Sequence, residues 1–160
     1  ASNRARYEAM ARASGVPWYV IAVIHSLEGG GQSGDFSRHL HNGDSLARRT
    51  VTMPVGKPLA SPAAGEGHSY TWEESALDAL ARWRGMTDWS LSSTLWELER
   101  YNGLGYRQHH PEVLTPYLWS FTNHYTRGKV TSGGGFDPNL VSAQAGAAAL
   151  LRRMVDRGII

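Results

Sequence analysis

The segment that most constrains the fold is WYVIAVIHSLE, residues 18–28, which is apolar around almost its whole circumference. A helix of this kind is stable in water only when other elements cover it, so we expect it at the centre of the core. Pro17 suits its first turn, and the glycines 29–31 stop it. With 160 residues and 41% hydrophobic content, the chain is long enough for one domain, residues 1–160.

Capping and breaking signals predict further helices on both sides of this segment. Thr71 and Glu74 have the spacing of a capping box, which predicts a helix start at about residue 72. The other predicted helices cover residues 3–13, a stretch from Asp88 or Ser90 to Gly103, a turn opened by Pro116, and about residues 140–157.

One stretch has the pattern of a strand instead. RRTVTM alternates β-branched residues, PVGK follows as a turn, and a loop rich in proline, glycine and alanine comes next. These features predict a β-hairpin at about residues 44–62. The expected fold class is therefore α+β and mostly helical, with two lobes, the smaller one being this β-hairpin.

Charge and composition restrict the partners. The net charge of +2 and the pI of about 9.1 favour a polyanionic partner mildly. The arginines are scattered in pairs, without a basic cluster interleaved with aromatics, so no nucleic-acid partner is expected. No run approaches a membrane span of roughly 18 apolar residues, so no membrane insertion is expected. Cysteine is absent, which excludes disulfides and thiolate metal sites.

Two acids lie in contrasting surroundings. Glu28 follows the apolar helix, where partial removal from water favours a protonated carboxyl that can donate a proton to a leaving oxygen. Asp44 lies in the polar turn HNGDSL, where solvent and hydrogen bonds favour the ionised form. An acid paired with an ionised carboxylate is the arrangement of a glycosidase. The glycines after Glu28 would let a bulky substrate approach.

Each acid also has a simpler interpretation. Glu28 could be the solvated last residue of an ordinary helix, and Asn-Gly-Asp is good turn chemistry in any protein. Asp35, seven residues after Glu28, competes with Asp44 as the second acid.

In this order of features the chain resembles the lysozyme-like superfamily of cell-wall glycosidases, which includes phage endolysins, goose-type lysozymes and lytic transglycosylases. In those enzymes a catalytic glutamate ends a buried helix and a β-hairpin lobe follows. They also have a tyrosine-asparagine-glycine motif at the end of a later helix, and RYNGLGYR contains it here. The resemblance spans about residues 17–150.

The resemblance implies roles for several residues. Glu28 would be the general acid, Asp44 the second acid, and Thr50 the hairpin threonine that holds a water. The expected sugar-binding residues, from the motif and from aromatic or polar side chains beside the groove, are Tyr101, Asn102, Gly103, Tyr106, Tyr125 and His41. Of these, Tyr125 is expected to be exposed, because it follows the apolar stretch YLWSF.

Other chemistries have weaker signals. His25 and Glu28 lack the second histidine of a zinc protease motif, so no metal site and no cofactor are expected. Ser-His-Asp chemistry remains open, although no G-x-S-x-G signature occurs.

The sequence therefore predicts a monomeric muramidase, a glycoside hydrolase that cleaves the β-1,4 bond between N-acetylmuramic acid and N-acetylglucosamine in peptidoglycan glycan strands. The expected location is the cell wall, extracellular or periplasmic, with release from a phage at lysis as one route. A lytic transglycosylase, a chitin-directed enzyme and a non-catalytic wall-binding or phage structural module are the alternatives.

Overall fold

The computed structural model describes residues 3–29, 35–59 and 69–160. The protein is mostly helical and has a small two-stranded antiparallel sheet. It forms two compact units, Ala1–Thr87 and Asp88–Ile160.

In its described residues, the first unit contains three α-helices and a short 3-10 helix. They are α1 (Arg4–Ser14), α2 (Trp18–Glu28), α3 (Trp72–Leu80) and the 3-10 helix Ala81–Trp83. The predicted boundaries of α1, residues 3–13, are confirmed to within one residue, since Gly15 follows the helix in the left-handed region; α2 ends at Glu28 as predicted. Val20, Ile21 and Ile24 have no exposed surface, so α2 is the core helix that its composition predicts.

The start of α3 is also as predicted. The Thr71 hydroxyl accepts from the backbone N–H of Glu74, and the Glu74 carboxylate accepts from the backbone N–H of Thr71, which completes the capping box. Trp72 follows, 1% exposed, and the ring of Phe36 packs edge-on against it. Arg6 places its guanidinium 4.0 Å from the Phe36 ring centre and pairs with the carboxylate of Glu73, which ties α1 to α3.

The segment expected to form the β-hairpin contains no strand between residues 44 and 59, and residues 60–62 lie outside the described part of the chain. It consists of turns, with an isolated bridge between Arg38 and Ser45 and a backbone bond from Thr50 N–H to Lys57 O of 2.9 Å. Pro54 and Pro58 have no N–H to contribute to a ladder, and side chains take up several of the remaining backbone groups.

The second unit contains α4 (Leu91–Asn102), α5 (Gly105–His109), α6 (Pro116–Trp119), β1 (Lys129–Val130), β2 (Phe136–Asp137) and α7 (Ala147–Asp156). The strands pair antiparallel, Lys129 opposite Asp137 and Val130 opposite Phe136. The sheet thus lies outside residues 44–62, the segment predicted to form strands. The Arg107 guanidinium forms two bonds, 2.8 and 2.7 Å, to the buried Glu99 carboxylate and so joins α5 to α4.

The last helix starts later than its sequence pattern predicts, at Ala147 and not near residue 140. Gly146 packs against the end of α6, where an added Cβ would lie 2.4 Å from the carbonyl oxygen of Leu118. The Gly146 N–H donates to Ser120 O. These contacts hold the chain before Ala147 in a non-helical path.

No helix in the described ranges combines the length and the apolar character needed to cross a membrane.

Candidate functional site around the end of α2

Glu28 lies at the C-terminal end of the core helix and is half-buried. The helix closes with a bond of 2.9 Å from Gly29 N–H to the carbonyl oxygen of His25. A Cβ on Gly29 would lie 2.7 Å from that same oxygen, so a larger residue would have to shift the backbone. Gly30 and Gly31, predicted to open space for a substrate, lie outside the described residues.

The turn that carries Asp44 packs directly on the backbone of Glu28. Gly43 has φ +77°, and a Cβ built on it would lie 2.2 Å from the carbonyl oxygen of Glu28. Its N–H donates to His39 O at 2.9 Å. Only glycine meets both the left-handed angle and the close approach without strain. The structure therefore brings the two predicted catalytic residues, Glu28 and Asp44, to the same end of α2.

The Asp44 carboxylate organises the chain beyond it. Oδ2 accepts from the N–H groups of Val51 (2.8 Å) and Thr52 (2.9 Å), and Oδ1 accepts from the Thr52 hydroxyl (2.9 Å). Partial burial by itself would raise the pKa of Asp44, but the hydrogen bonds from Thr52, Val51 and Asn42 outweigh it and lower the pKa. Asp44 is thus ionised, as predicted, but it also holds the turn together.

Asp35, the competing second acid, is also ionised. The hydroxyl and the N–H of Ser37 both donate to Oδ1, and these bonds lower the pKa of Asp35. Its carbonyl oxygen lies 2.8 Å from the Nε2 of His25, one turn before Glu28. Both candidate acids are therefore attached to the last turn of α2, Asp35 through His25 and Asp44 through the contact of Gly43.

His25 is a satisfied core histidine. Its Nδ1 lies 2.7 Å from the hydroxyl of Tyr7, and its Nε2 donates to the Asp35 carbonyl. A neutral ring with the proton on Nε2 satisfies both contacts. Burial lowers the pKa of His25; the bond to Asp35 and its charge oppose this effect, and the nearby Arg6 cation adds to it.

A buried polar network joins the segment after Asp35 to α3. The hydroxyl oxygen of Ser75 lies 2.9 Å from His39 Nδ1 and 3.2 Å from His41 Nδ1, and it accepts from the N–H of Leu40 at 3.0 Å. His41 Nε2 lies 2.8 Å from the carboxylate of Asp78. Burial lowers the pKa of His41, opposed by the bond to Asp78.

Ser75, His41 and Asp78 thus stand in the order of a hydrolytic triad. Ser75 has no exposed surface, so a substrate has no path to its hydroxyl. His41, expected to contact sugar, is 9% exposed and belongs to this structural network. Sequence reasoning missed Ser75 and Asp78; their i, i+3 spacing on the inner face of α3 was the available signal.

Thr50 does not fit the predicted role of holding a water. Its side chain is 2% exposed, its hydroxyl donates to the carbonyl oxygen of Pro54, and its oxygen accepts from Lys57 N–H at 2.9 Å. The threonine closes the turn between residues 50 and 57.

The predicted sugar-binding motif lies in the second unit, at the end of α4. Tyr101 is half-buried, Asn102 is exposed and ends the helix, and Gly103 follows with φ +102°. The motif therefore has the helix-end position that the resemblance implies, and the Asn102 side chain lies at the surface.

The other two tyrosines expected to bind sugar, Tyr106 and Tyr125, use their hydroxyl groups in hydrogen bonds to the backbone. The Tyr106 oxygen accepts from Val130 N–H at 2.9 Å, and burial raises the pKa of Tyr106. The Tyr125 hydroxyl donates to Gly128 O and accepts from Ser142 N–H, both at 3.2 Å. Tyr125 is 8% exposed, so the expectation that it is exposed was wrong.

A surface cavity of about 480 Å³ lies in the second unit. Tyr125 lines it together with Phe136, His124 and Arg127. The cavity combines aromatic carbon with a guanidinium and an imidazole, which are groups that hold sugars and their polar substituents.

Within the described ranges, no three histidine, aspartate or glutamate residues are grouped closely enough to hold a metal ion. No protein-family model matches the chain, and neither the curated proteins nor the solved structures contain a significant match to it.

Proposed function

We propose that the protein is a lysozyme-type glycosidase that cleaves the β-1,4 bond between N-acetylmuramic acid and N-acetylglucosamine in peptidoglycan, with Glu28 as the general acid. The observation that carries the proposal is the position of Glu28. It is a half-buried residue at the end of a largely buried helix, and the turn of an ionised aspartate packs on its backbone.

The chemistry assigns one step to each carboxyl. Glu28 would protonate the departing glycosidic oxygen, since partial burial favours a carboxyl that retains its proton. An ionised aspartate would stabilise the positive charge that develops on the sugar or activate a water. Asp44 and Asp35 are both ionised and both lie near the end of α2, so either can supply this charge.

Within the second unit, two surfaces are candidates for contact with sugar. The exposed Asn102 and the neighbouring Tyr101 are the candidates from the helix-end motif, and the cavity beside Tyr125 is a second candidate surface. The enzyme would act as a monomer in the bacterial cell wall.

A second candidate activity, lytic transglycosylation, is favoured by the hydrogen bonds of Asp44. A transglycosylase needs one catalytic acid and forms an anhydro-sugar without adding water. Because Asp44 Oδ2 is taken up by two backbone N–H groups, a role in activating water leaves only Oδ1 partly available. Mass spectrometry of the released ends separates the two activities, since hydrolysis adds one water to each cleaved bond.

The decisive variant is Glu28→Gln, which keeps the shape of the side chain but cannot deliver a proton. We expect lysis of a cell-wall suspension, followed by turbidity, to fall by at least about 100-fold, the lower range for loss of a general acid. Circular dichroism should remain unchanged. Glu8→Gln, in the exposed Arg4–Glu8 pair of α1, is the matched control and should retain full activity.

Two outcomes would contradict the proposal. Substantial lysis by Glu28→Gln would remove Glu28 from the mechanism. Binding of wild-type protein to dye-labelled peptidoglycan, without release of soluble dye, would indicate a non-catalytic wall-binding module. Asp35→Asn and Asp44→Asn, compared side by side, would show which aspartate is the second acid.

A further inference from the structure

The turn beyond Asp44 exposes an unusual number of large apolar side chains. Val51, Met53, Val55 and Leu59 are 54%, 80%, 61% and 66% exposed. We call residues 51–59 the apolar turn. The bond from Thr50 N–H to Lys57 O closes its base, so the first three of these side chains project from one six-residue loop. A concentration of exposed aliphatic groups in so short a stretch typically marks an interaction surface.

Most backbone N–H groups of the apolar turn form hydrogen bonds within the protein. Asp44 accepts from the N–H groups of Val51 and Thr52, and the Asn42 side-chain amide donates to the carbonyl oxygens of Thr52 and Met53. At the other end, Gly56 N–H donates to the carbonyl of Thr50.

The remaining contacts continue this pattern. Lys57 N–H donates to the Thr50 hydroxyl oxygen, and Leu59 N–H donates to Asp78. Pro54 and Pro58 have no N–H at all. Bonds thus satisfy the N–H groups of Val51, Thr52, Gly56, Lys57 and Leu59, which lowers the free-energy cost of moving this loop out of water towards lipid.

Three cationic residues, Arg48, Arg49 and Lys57, flank or belong to the apolar turn, and two carboxylates, Asp44 and Asp78, also contact it. Residues 45–59 include Arg48, Arg49 and Lys57 and no acidic residue. The Arg48 side chain is exposed, and the nearby Asp44 and Asp78 carboxylates accept hydrogen bonds from the protein. Aliphatic side chains flanked by cations are complementary to a surface of acyl chains beneath anionic headgroups.

We propose that the apolar turn docks on an anionic lipid surface, with Met53 and Val55 entering the headgroup region and Arg48 and Lys57 contacting the headgroups. A glycan strand is a poorer fit, because Val51, Met53 and Val55 have neither aromatic faces nor polar side-chain groups for sugars. Peripheral contact of this kind differs from membrane insertion, which the sequence does not predict.

The test is cosedimentation of the complete chain with vesicles. Vesicles of phosphatidylglycerol mixed with phosphatidylcholine should bind the protein, and phosphatidylcholine alone should bind it weakly. The double variant Met53→Ser/Val55→Ser should lose at least about tenfold in binding, since two exposed side chains lose their apolar burial. Arg48→Gln should lose about fivefold, with a shallower dependence on salt.

The matched control is the double variant Leu91→Ser/Phe121→Ser, which removes apolar side chains that are 65% and 68% exposed in the second unit. It should bind vesicles like the wild type. All variants alter exposed side chains, so circular dichroism and melting temperature should be unchanged, which separates a lost surface from a lost fold.

Three results would overturn the proposal. They are failure of the wild type to bind anionic vesicles, equal binding by the Met53→Ser/Val55→Ser variant, and equal loss in the control variant. A wild type that sediments as a dimer without binding vesicles, next to a monomeric Met53→Ser/Val55→Ser variant, would instead assign the apolar turn to self-association. Cell-wall lysis is measured separately, so its failure leaves this test intact.

Discussion

At the scale of single residues, the candidate site depends on two residues, each of which contacts a backbone carbonyl group. Gly43 allows the turn of Asp44 to touch the carbonyl of Glu28, and His25 holds the carbonyl of Asp35. Neither residue has to react with a substrate. Together they determine where two acidic side chains stand relative to the end of α2.

The effect of the close approach between Gly43 and the Glu28 carbonyl on stability can be measured by replacing two glycines with alanine. Gly43→Ala should destabilise the protein by about 2–4 kcal/mol, because the substitution combines a left-handed angle with a Cβ 2.2 Å from an oxygen. Gly56→Ala has nearly the same φ, +78°, with no atom near its Cβ, so about 1 kcal/mol is expected. Urea unfolding gives both values. Equal losses in the free energy of unfolding would show that the close approach to Glu28 adds nothing to the cost of Gly43→Ala.

The neutral state of His25 predicts a pH dependence of stability. Burial lowers the pKa of His25, so the unfolded chain binds more protons below about pH 6.5, the ordinary histidine value. The stability contributed by neutral His25 is therefore present above that pH and is lost as the pH falls towards the lowered pKa. The slope for one group cannot exceed about 1.4 kcal/mol per pH unit.

His25→Gln, which keeps a donor and an acceptor but does not titrate, should flatten this slope. Urea unfolding of wild type and variant at several values between about pH 8 and pH 5 measures the difference. His41, whose pKa burial also lowers, remains in both proteins and cancels in the comparison. A variant with an unchanged slope would show that His25 does not cause the effect.

At the scale of elements, the helices of the first unit are predictable and the sheet is not. Each of these helices has its own local signal, such as Thr71 with Glu74 for α3 or the apolar run of α2. The alternation in residues 48–53 has the strand period, yet the side chains of Asp44, Asn42 and Thr50 take up backbone groups that a strand partner would need. Local alternation carries no information about such competing partners.

The capping box offers a test with a built-in control. Thr71→Ala should destabilise the protein by about 1 kcal/mol, since the N–H of Glu74 loses its acceptor. Ser90, the N-cap of α4, makes no side-chain capping bond, so Ser90→Ala should change stability by less than about 0.5 kcal/mol. Thermal or urea unfolding distinguishes the two. A larger loss in Ser90→Ala would contradict the assignment of the caps.

At the scale of the whole molecule, the proposed function predicts that charge controls access to the cell wall. The net charge of +2 and pI of about 9.1 favour adhesion to an anionic polymer. Raising the salt concentration from about 0.1 M to about 1 M shortens the screening length from about 10 Å to about 3 Å. Lysis of cell walls should therefore slow with salt, whereas cleavage of a short uncharged sugar oligomer should not. An equal loss on both substrates would indicate a salt effect on the protein itself.

The sequence by itself determined the core helix, the caps and the contrast between an acid on an apolar helix and an aspartate in a polar turn. These are local properties, because helical period and turn chemistry act over a few residues. The tertiary structure decided that Gly43 lies on Glu28, that Asp44 and Thr50 hold a turn, and that His41 belongs to a buried network with Ser75 and Asp78. Those outcomes depend on contacts between residues far apart in the chain. Several polar side chains could form such contacts equally well, and only the packing of the folded chain determines which of them meet.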